Sequence, residues 1–107
     1  MADELRRGDI RWYRFSHPDK RRPVLILTRD SALDYLGQAT IAPITSTVRG
    51  IPSEVPLDES DGMKGRCAIN LDHVQTVDRG RIGARITAID PHRMVEVRRA
   101  LLFALGF

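Results

Sequence analysis

The sequence predicts a mainly β domain of the α+β class, in which a small barrel-like sheet of short strands is closed by one C-terminal helix. Three observations support this fold. The chain has 107 residues, which is room for one domain, residues 1–107, with a single core. Several short segments show the alternation or the continuous apolar run of β-strands. Residues 91–105 show instead the apolar spacing of an amphipathic helix.

The first three predicted strands have the clearest patterns. Residues 8–15 are rich in aromatic side chains and alternate, with Ile10 and Trp12 on one face. Residues 23–28, PVLILT, form a continuous apolar run, which is typical of a strand covered on both faces. Residues 38–45 predict a third strand that ends at a cluster of hydroxyl side chains. The remaining predicted strands are 48–57 after a glycine turn, 66–71, 73–77 and 84–89, with a break at Asp72.

Two helices are expected, and each has a start signal. Residues 30–37 provide for one or two turns, with Asp30 as the N-cap and Gly37 as the stop. In the C-terminal helix, Asp90 is the predicted N-cap and Pro91 takes the first helical position. The apolar positions that form the stripe of this helix are Met94, Val97, Leu101 and Leu105, widened by Val95 and Leu102.

The amino-acid composition argues against a membrane protein, a disulfide-bonded protein and a metal-binding protein. No apolar run approaches the roughly 20 residues needed to cross a bilayer, and residues 1–9 lack the apolar stretch of a signal peptide. We therefore expect a cytoplasmic protein without membrane attachment. Cys67 is the single cysteine, so it forms no disulfide within the chain, and we interpret it as a small buried apolar residue. The three histidines lie far apart without ligand spacing, so no metal site is expected.

The basic residues favour nucleic acid as a partner. Of 17 basic residues, 15 are arginine, whose planar fork of donors matches phosphate. A genome rich in GC codons is the alternative explanation for this bias. Residues 6–29 hold eight basic and two acidic side chains, whereas residues 54–61 hold four acidic ones. One face of the domain is therefore expected to be basic.

Two loops at the ends of inner strands are the candidate sites. SHPDKRRP, at 16–23, contains a histidine, a lysine and two arginines, and ITSTVRG, at 44–50, contains three consecutive hydroxyls and an arginine. Such side chains, held at rigid strand ends, are the usual donors to phosphate oxygens. The alternative to a binding site is that the hydroxyls only stabilise a turn and that His17 is a solvent-exposed loop residue.

The order and spacing of five blocks resemble a known family. The blocks are RGDI, RRPVLILT, APITSTVRGIPSEVPL, MKGRCAINLDHVQTVD and EVRRALLFALGF. Over residues 7–107 this succession resembles the MazF/PemK family of toxin endoribonucleases. The resemblance implies an SH3-like small barrel that forms a homodimer and cuts single-stranded RNA without a metal or any other cofactor. It also implies a cognate MazE-like antitoxin whose acidic C-terminal segment covers the RNA site.

The resemblance also implies roles for individual residues. Arg22, the arginine before the proline, corresponds to the principal catalytic arginine, and Thr45 to its catalytic companion. The positions that correspond to RNA-contacting residues are His17, Lys20, Arg21, Ser46, Thr47, Asp72 and His73. One branch of the family has a catalytic arginine where this chain has Asn70, so we prefer a site built on Arg22 and Thr45.

The chemistry of RNA cleavage fits these two residues. RNA carries its own nucleophile, the 2′-hydroxyl, so the enzyme must orient it, stabilise charge on the phosphorane and assist the leaving 5′-oxygen. We assign Arg22 to charge stabilisation and Thr45 to a hydrogen bond with a non-bridging oxygen, and leave the proton acceptor open. Two alternatives remain: a non-enzymatic gyrase inhibitor of the CcdB type, which shares the fold, and an inactive toxin kept for complex formation. Arg22 and Thr45 at the family positions favour the nuclease.

Overall fold

The structure is a computed structural model that describes residues 4–15 and 21–107. Its strands are β1 (Asp9–Arg14), β2 (Arg21–Ile26), β3 (Gln38–Thr45), β4 (Glu54–Leu57), β5 (Cys67–Asn70), β6 (Gln75–Asp78) and β7 (Ile82–Ala88). The helices are α1 (Asp30–Leu33) and α2 (Pro91–Leu105), and short 3-10 turns span Glu59–Asp61, Leu71–His73 and Arg79–Arg81. Within these described ranges, no helix is long and apolar enough to cross a membrane.

The strands form one antiparallel sheet in the order β4-β5-β3-β2-β1-β7. β6 pairs with the first half of β3 and β5 with its last two residues, so both lie along the same edge of β3. The chain turns between them at Leu71–His73, which confirms the break predicted at Asp72. The mainly β fold with a C-terminal helix is therefore confirmed.

Apolar side chains fill both faces of the central strand β2. Leu25 packs into a core between the sheet and α2, which includes Ile10, Ile44, Ile69 and Val97. Val24 and Ile26 pack into a second core on the opposite face, which Leu5, Tyr13, Leu33 and Val77 complete. The prediction that residues 23–28 are covered on both faces is thus confirmed.

Helix α1 differs from its prediction at both ends. Its N-cap is Arg29, without a side-chain capping bond, and the helix ends at Leu33 rather than near Gly37. The expected cap, Asp30, has another partner, because its Oδ1 accepts a hydrogen bond from the backbone N–H of Arg7 at 2.7 Å. The capping prediction was wrong because a contact distant in sequence takes the carboxylate.

Strand β4 is shorter than the predicted segment 48–57. The buried carboxylate of Glu54 accepts hydrogen bonds from the backbone N–H groups of Arg49, at 2.9 Å, and Gly50, at 3.1 Å. These bonds hold the residues before Glu54 in a turn, so only Glu54–Leu57 pairs as a strand.

Helix α2 begins as predicted. Asp90 Oδ1 accepts a hydrogen bond from the backbone N–H of Arg93 at 3.0 Å, and Pro91 is the first helical residue. The helix ends at Leu105, and its C-cap, Gly106, adopts the left-handed conformation with φ of 83°.

The apolar stripe of α2 is only partly buried. Val97 is buried, and Met94 and Leu101 pack against the core beneath it. Leu105 is 58% exposed, so its place on the buried stripe was wrong: in the last turn Ala104 is the residue that packs against the core. Val95 and Leu102, expected to widen the stripe, are also exposed, and α2 presents an apolar outer face.

Candidate active site

Arg22 and Thr45 are neighbours on two adjacent strands. The antiparallel register of β2 and β3 pairs Val24 with Pro43. Continued by two residues towards the strand ends, the same register faces Arg22 with Thr45. Residues directly opposite in such a pair point to the same face, with Cβ atoms about 5 Å apart. The two residues assigned to catalysis therefore lie at the same end of adjacent strands, two residues beyond the last pair of the β2–β3 ladder, and their catalytic roles remain predictions.

Both side chains keep donors available for an anion. Thr45 Oγ1 accepts a hydrogen bond from the backbone N–H of Thr47 at 3.1 Å, which orients the hydroxyl and leaves its proton free to donate. Arg22 is exposed and forms no ion pair with any carboxylate of the described residues. A phosphate placed between them would meet a guanidinium on one side and a hydroxyl on the other.

Arg21 lies on the opposite face of β2 from Arg22. Its Cζ lies 4.6 Å from the centroid of the Trp12 ring, so the guanidinium stacks on the indole. Trp12 pairs with Pro23 in the neighbouring strand, which places it on the face of the sheet that Arg21 shares. The two consecutive arginines are therefore not equivalent, and Arg22 is the one that faces Thr45.

Several cations collect at this end of the sheet. Arg81 lies over Tyr13, the partner of Arg22 in β1, with its Cζ 5.5 Å from the ring centroid. Arg81 also donates a hydrogen bond from Nη2 to the backbone carbonyl of Arg14 at 3.2 Å. We call this end of the sheet the basic end; its cations in the described chain include Arg14, Arg21, Arg22, Lys64, Arg66 and Arg81. Clustered cations of this kind raise the local concentration of an anionic ligand.

The remaining predicted RNA contacts fall into three groups. Ser46 and Thr47 are exposed and directly follow Thr45 at the basic end. Asp72 and His73 are exposed but follow the far end of β5, whereas Thr45 pairs with Ala68 near its start. The structure therefore does not bring these two residues to the pair of Arg22 and Thr45. The predicted contacts His17 and Lys20 lie outside the described residues.

Asp72 is held by two residues that the sequence did not single out for this role. The buried Ser53 donates a hydrogen bond from its hydroxyl to Asp72 Oδ2 at 2.5 Å. Asn70 Oδ1 accepts a hydrogen bond from the backbone N–H of Asp72 at 2.9 Å. The Asp72 carboxylate is thus fixed in orientation. In the sequence, the only local indication of this arrangement was an Asn two residues before the Asp.

Cys67 is buried, as predicted. Burial raises the pKa of its thiol, and the nearby carboxylates of Asp61 and Asp58 add to the effect. The thiol is therefore protonated near neutral pH and unsuited to nucleophilic attack. Across residues 4–15 and 21–107, no group of three or more His, Cys, Asp and Glu side chains is placed to hold a metal ion.

The fold and the candidate site together indicate a small nucleic-acid-binding protein. A small barrel-like sheet presents a cluster of arginines at one end, where an arginine and a threonine lie on adjacent strands. Fixed guanidinium and hydroxyl donors on an open surface suit the phosphates of a nucleic acid.

Comparison with known proteins supports this class. Residues 6–105 match the family model described as PemK-like, MazF-like toxin of type II toxin-antitoxin system. The chain is 44% identical to endoribonuclease MazF3 of Mycobacterium tuberculosis over 77 residues, which cover 68% of this chain and 75% of that one. The match to the family model shows that the chain belongs to the PemK-like and MazF-like toxins.

Two solved structures agree in fold. Mycobacterium tuberculosis toxin MazF-mt6 superposes with a TM-score of 0.85 at 33% identity, covering 92% of this chain and 97% of the toxin. A MazE-MazF structure from Deinococcus radiodurans superposes with a TM-score of 0.83 at 26% identity, covering 99% of both chains. The predicted small barrel of the MazF/PemK type is therefore confirmed.

Proposed function

We propose that residues 1–107 act as one toxin domain, a cytoplasmic endoribonuclease that cleaves single-stranded RNA at specific sequences and thereby arrests growth. The single observation that carries the proposal is that Arg22 and Thr45 lie at the same, basic end of the adjacent strands β2 and β3. The name endoribonuclease, borne by a relative 44% identical to this chain, supports the same activity.

In the proposed mechanism the 2′-hydroxyl of one nucleotide attacks the adjacent phosphate. The bond from phosphorus to the 5′-oxygen breaks, which leaves a 2′,3′-cyclic phosphate on one fragment and a 5′-hydroxyl on the other. Arg22 stabilises the negative charge that grows on the phosphorane, and the Thr45 hydroxyl donates to a non-bridging oxygen. Fixing both donors on paired strands avoids their reorganisation during the reaction.

The activity is tested with purified protein and a defined RNA in the presence of EDTA. We expect cleavage to persist, with a 2′,3′-cyclic phosphate or its opened 3′-phosphate and a 5′-hydroxyl as the new ends. Mass spectrometry of the fragments identifies these ends. A strict requirement for magnesium with 5′-phosphate products would contradict the mechanism, and absence of any cleavage would favour an inactive or non-enzymatic toxin.

We further propose that the toxin is a homodimer whose contact includes the outer face of α2. That face exposes Val95, Leu102, Phe103 and Leu105, and apolar side chains grouped in this way mark a contact surface. Leu102→Glu should therefore shift the protein to monomers in light scattering. Ile51→Glu, at a similarly exposed position outside α2 (38% against 41%), should leave the dimer intact. A monomeric wild type with full activity would contradict the proposal.

An acidic antitoxin segment is the proposed inhibitor of the basic end. A MazE-MazF complex is known for the relative from Deinococcus radiodurans, and a basic surface attracts and orders an acidic disordered chain. A peptide of the cognate antitoxin should inhibit RNA cleavage, with an affinity that falls as salt rises because exposed charge pairs are screened. A peptide with its acidic residues replaced by their amides is the control. Inhibition with an affinity that does not change with salt concentration would contradict this arrangement.

A further inference from the structure

We propose that Lys64 and Arg66, together with Ser46, form a second RNA-binding subsite that takes a nucleotide beside the one that is cleaved. This inference rests on the proposed endoribonuclease function and extends its RNA site to the other face of β3.

The subsite is a groove at the start of β5. The β3–β5 register pairs Thr45 with Ala68, and continued by one residue it faces Ser46 with Cys67. These two residues line an open groove of 360 Å³ with Met63, Lys64, Gly65 and Arg66. Cavities of a few hundred Å³ are the size that binds small ligand groups.

The lining of the groove suits one nucleotide. Met63 and Cys67 provide an apolar floor, and both belong to or pack against the core below. Lys64 and Arg66 are exposed, and neither forms an ion pair or hydrogen bond within the described chain. Single-stranded nucleic acids are bound in positively charged grooves that follow their phosphates. Lys64 and Arg66 provide this charge, and Met63 and Cys67 offer an apolar surface to the base.

Two of the three carboxylates that precede Lys64 in this loop, those of Asp58 and Asp61, are already engaged. Asp61 forms a bidentate contact with Arg93 of α2, with Oδ1 2.9 Å from Nε and Oδ2 3.1 Å from Nη2. This hydrogen bond with Arg93 lowers the pKa of Asp61. Asp58 Oδ1 accepts from the backbone N–H of Ser60 at 2.8 Å and from its hydroxyl at 2.6 Å. Neither carboxylate forms an ion pair with Lys64 or Arg66.

The same contacts fix the loop that carries the two cations. Arg93 also binds Glu96 at 3.1 Å, so Asp61 is tied to a side chain that α2 holds in place. Gly62 follows with φ of 91°, and a Cβ there would lie 2.5 Å from Thr87 Oγ1. The loop is therefore closely packed just before Lys64, which gives the cations a fixed base.

The groove and the catalytic pair share the end of one strand. Thr45 shares the face of β3 that carries Ile41 and the second core. Met63 and Cys67, on the floor of the groove, contact the core under α2 on the other face. Arg22 faces Thr45, whereas the groove lies on the side of Ser46. An RNA strand that crosses this strand end places one phosphate at Arg22 and a neighbouring nucleotide in the groove.

The experiment measures binding of a fully 2′-O-methylated RNA, which lacks the nucleophile and is not cleaved, over a range of salt concentrations. Each lost phosphate contact should reduce the slope of log affinity against log salt by roughly 0.7. Lys64→Gln/Arg66→Gln should therefore lower the slope by roughly 1.4 and weaken binding by about 10-fold near physiological salt. In cleavage assays the loss should fall mainly on KM. Arg66→Gln is compared with Arg29→Gln, which removes one exposed arginine beyond the opposite end of β2.

The outcomes separate this inference from the proposed function. A wild-type chain that cleaves no RNA overturns both. A wild type that cleaves, with a double variant whose affinity and salt slope are unchanged or match Arg29→Gln, overturns the groove alone. A double variant that loses the acidic antitoxin peptide but keeps RNA would assign the groove to the inhibitor instead and overturn the proposal as well.

Discussion

Arg22→Lys should reduce the single-turnover rate constant for RNA cleavage by roughly 100-fold to 1,000-fold, nearly as much as Arg22→Ala. Lysine keeps the positive charge but loses the planar, two-pronged set of donors that matches two phosphate oxygens. Arg22 faces Thr45 at the end of a strand whose next three residues are buried or half-buried, so its backbone is fixed. Lysine has a shorter reach and a single donor group. A small shift of the fixed backbone would therefore not restore both contacts to the phosphate.

Arg21 provides the comparison for this prediction. Its guanidinium stacks on Trp12 on the other face of β2, so it does not share the position of Arg22. Arg21→Ala should mainly weaken RNA binding and lower its salt slope by roughly 0.7, the value for one lost contact. Arg22→Lys and Arg21→Ala should both melt within a few degrees of wild type, because the side chains of Arg22 and Arg21 are exposed. Normal cleavage by Arg22→Lys, or a larger rate loss in Arg21→Ala, would show that the site is assigned wrongly.

Local patterns were sufficient for the framework of the fold. The strand at 38–45 is found with the predicted bounds, and the one predicted at 23–28 is found as Arg21–Ile26, two residues earlier at each end. An apolar run locates a buried strand but not its ends, so Arg21 and Arg22 lie in β2 and not in the preceding loop. Asp90 and Pro91 likewise mark the start of α2, since a cap acts within one turn. Asp30 failed as a cap because Arg7, 23 residues away, takes its carboxylate. Partners that distant are set by tertiary packing.

The sequence likewise indicated some residues of the candidate site and missed others. Arg22 and Thr45 were assigned from the family resemblance, and the structure places them at the same end of the adjacent strands β2 and β3. Arg66 and Arg81 were missed because each precedes a strand that pairs far away in sequence: β5 with β3, and β7 with β1. A non-consecutive strand order brings these arginines to one end of the sheet, and no local pattern reports that order.

Asp9→Ala should lower the free energy of unfolding by about 3 to 5 kcal/mol, the usual cost of removing one partner from a buried ion pair. Asp9 is 1% exposed and Arg11 is 5% exposed. Asp9 Oδ2 lies 3.7 Å from Nη1 of Arg11, and Oδ1 lies 3.7 Å from Nη1 of Arg85 on β7. Oδ2 also accepts the backbone N–H of Arg6 at 3.1 Å. Alanine would leave the buried guanidinium of Arg11 without this carboxylate and open the turn before β1.

Urea unfolding at one fixed protein concentration measures this effect, with Asp30→Ala as the control. Asp30 is exposed, and its carboxylate accepts one backbone N–H, so its loss should cost only about 1 kcal/mol. If the cost at Asp9 comes from removing the carboxylate beside the buried Arg11 guanidinium, Asp9→Ala/Arg11→Met should be more stable than Asp9→Ala alone. An Asp9→Ala variant as stable as Asp30→Ala would contradict the buried pair. A double variant less stable than the single one would instead place the cost in the turn and in the other contacts of Arg11. Because Arg11 precedes Tyr13, the partner of Arg22, by two residues on the same face of β1, this buried pair supports the strand that pairs with the proposed cleavage site.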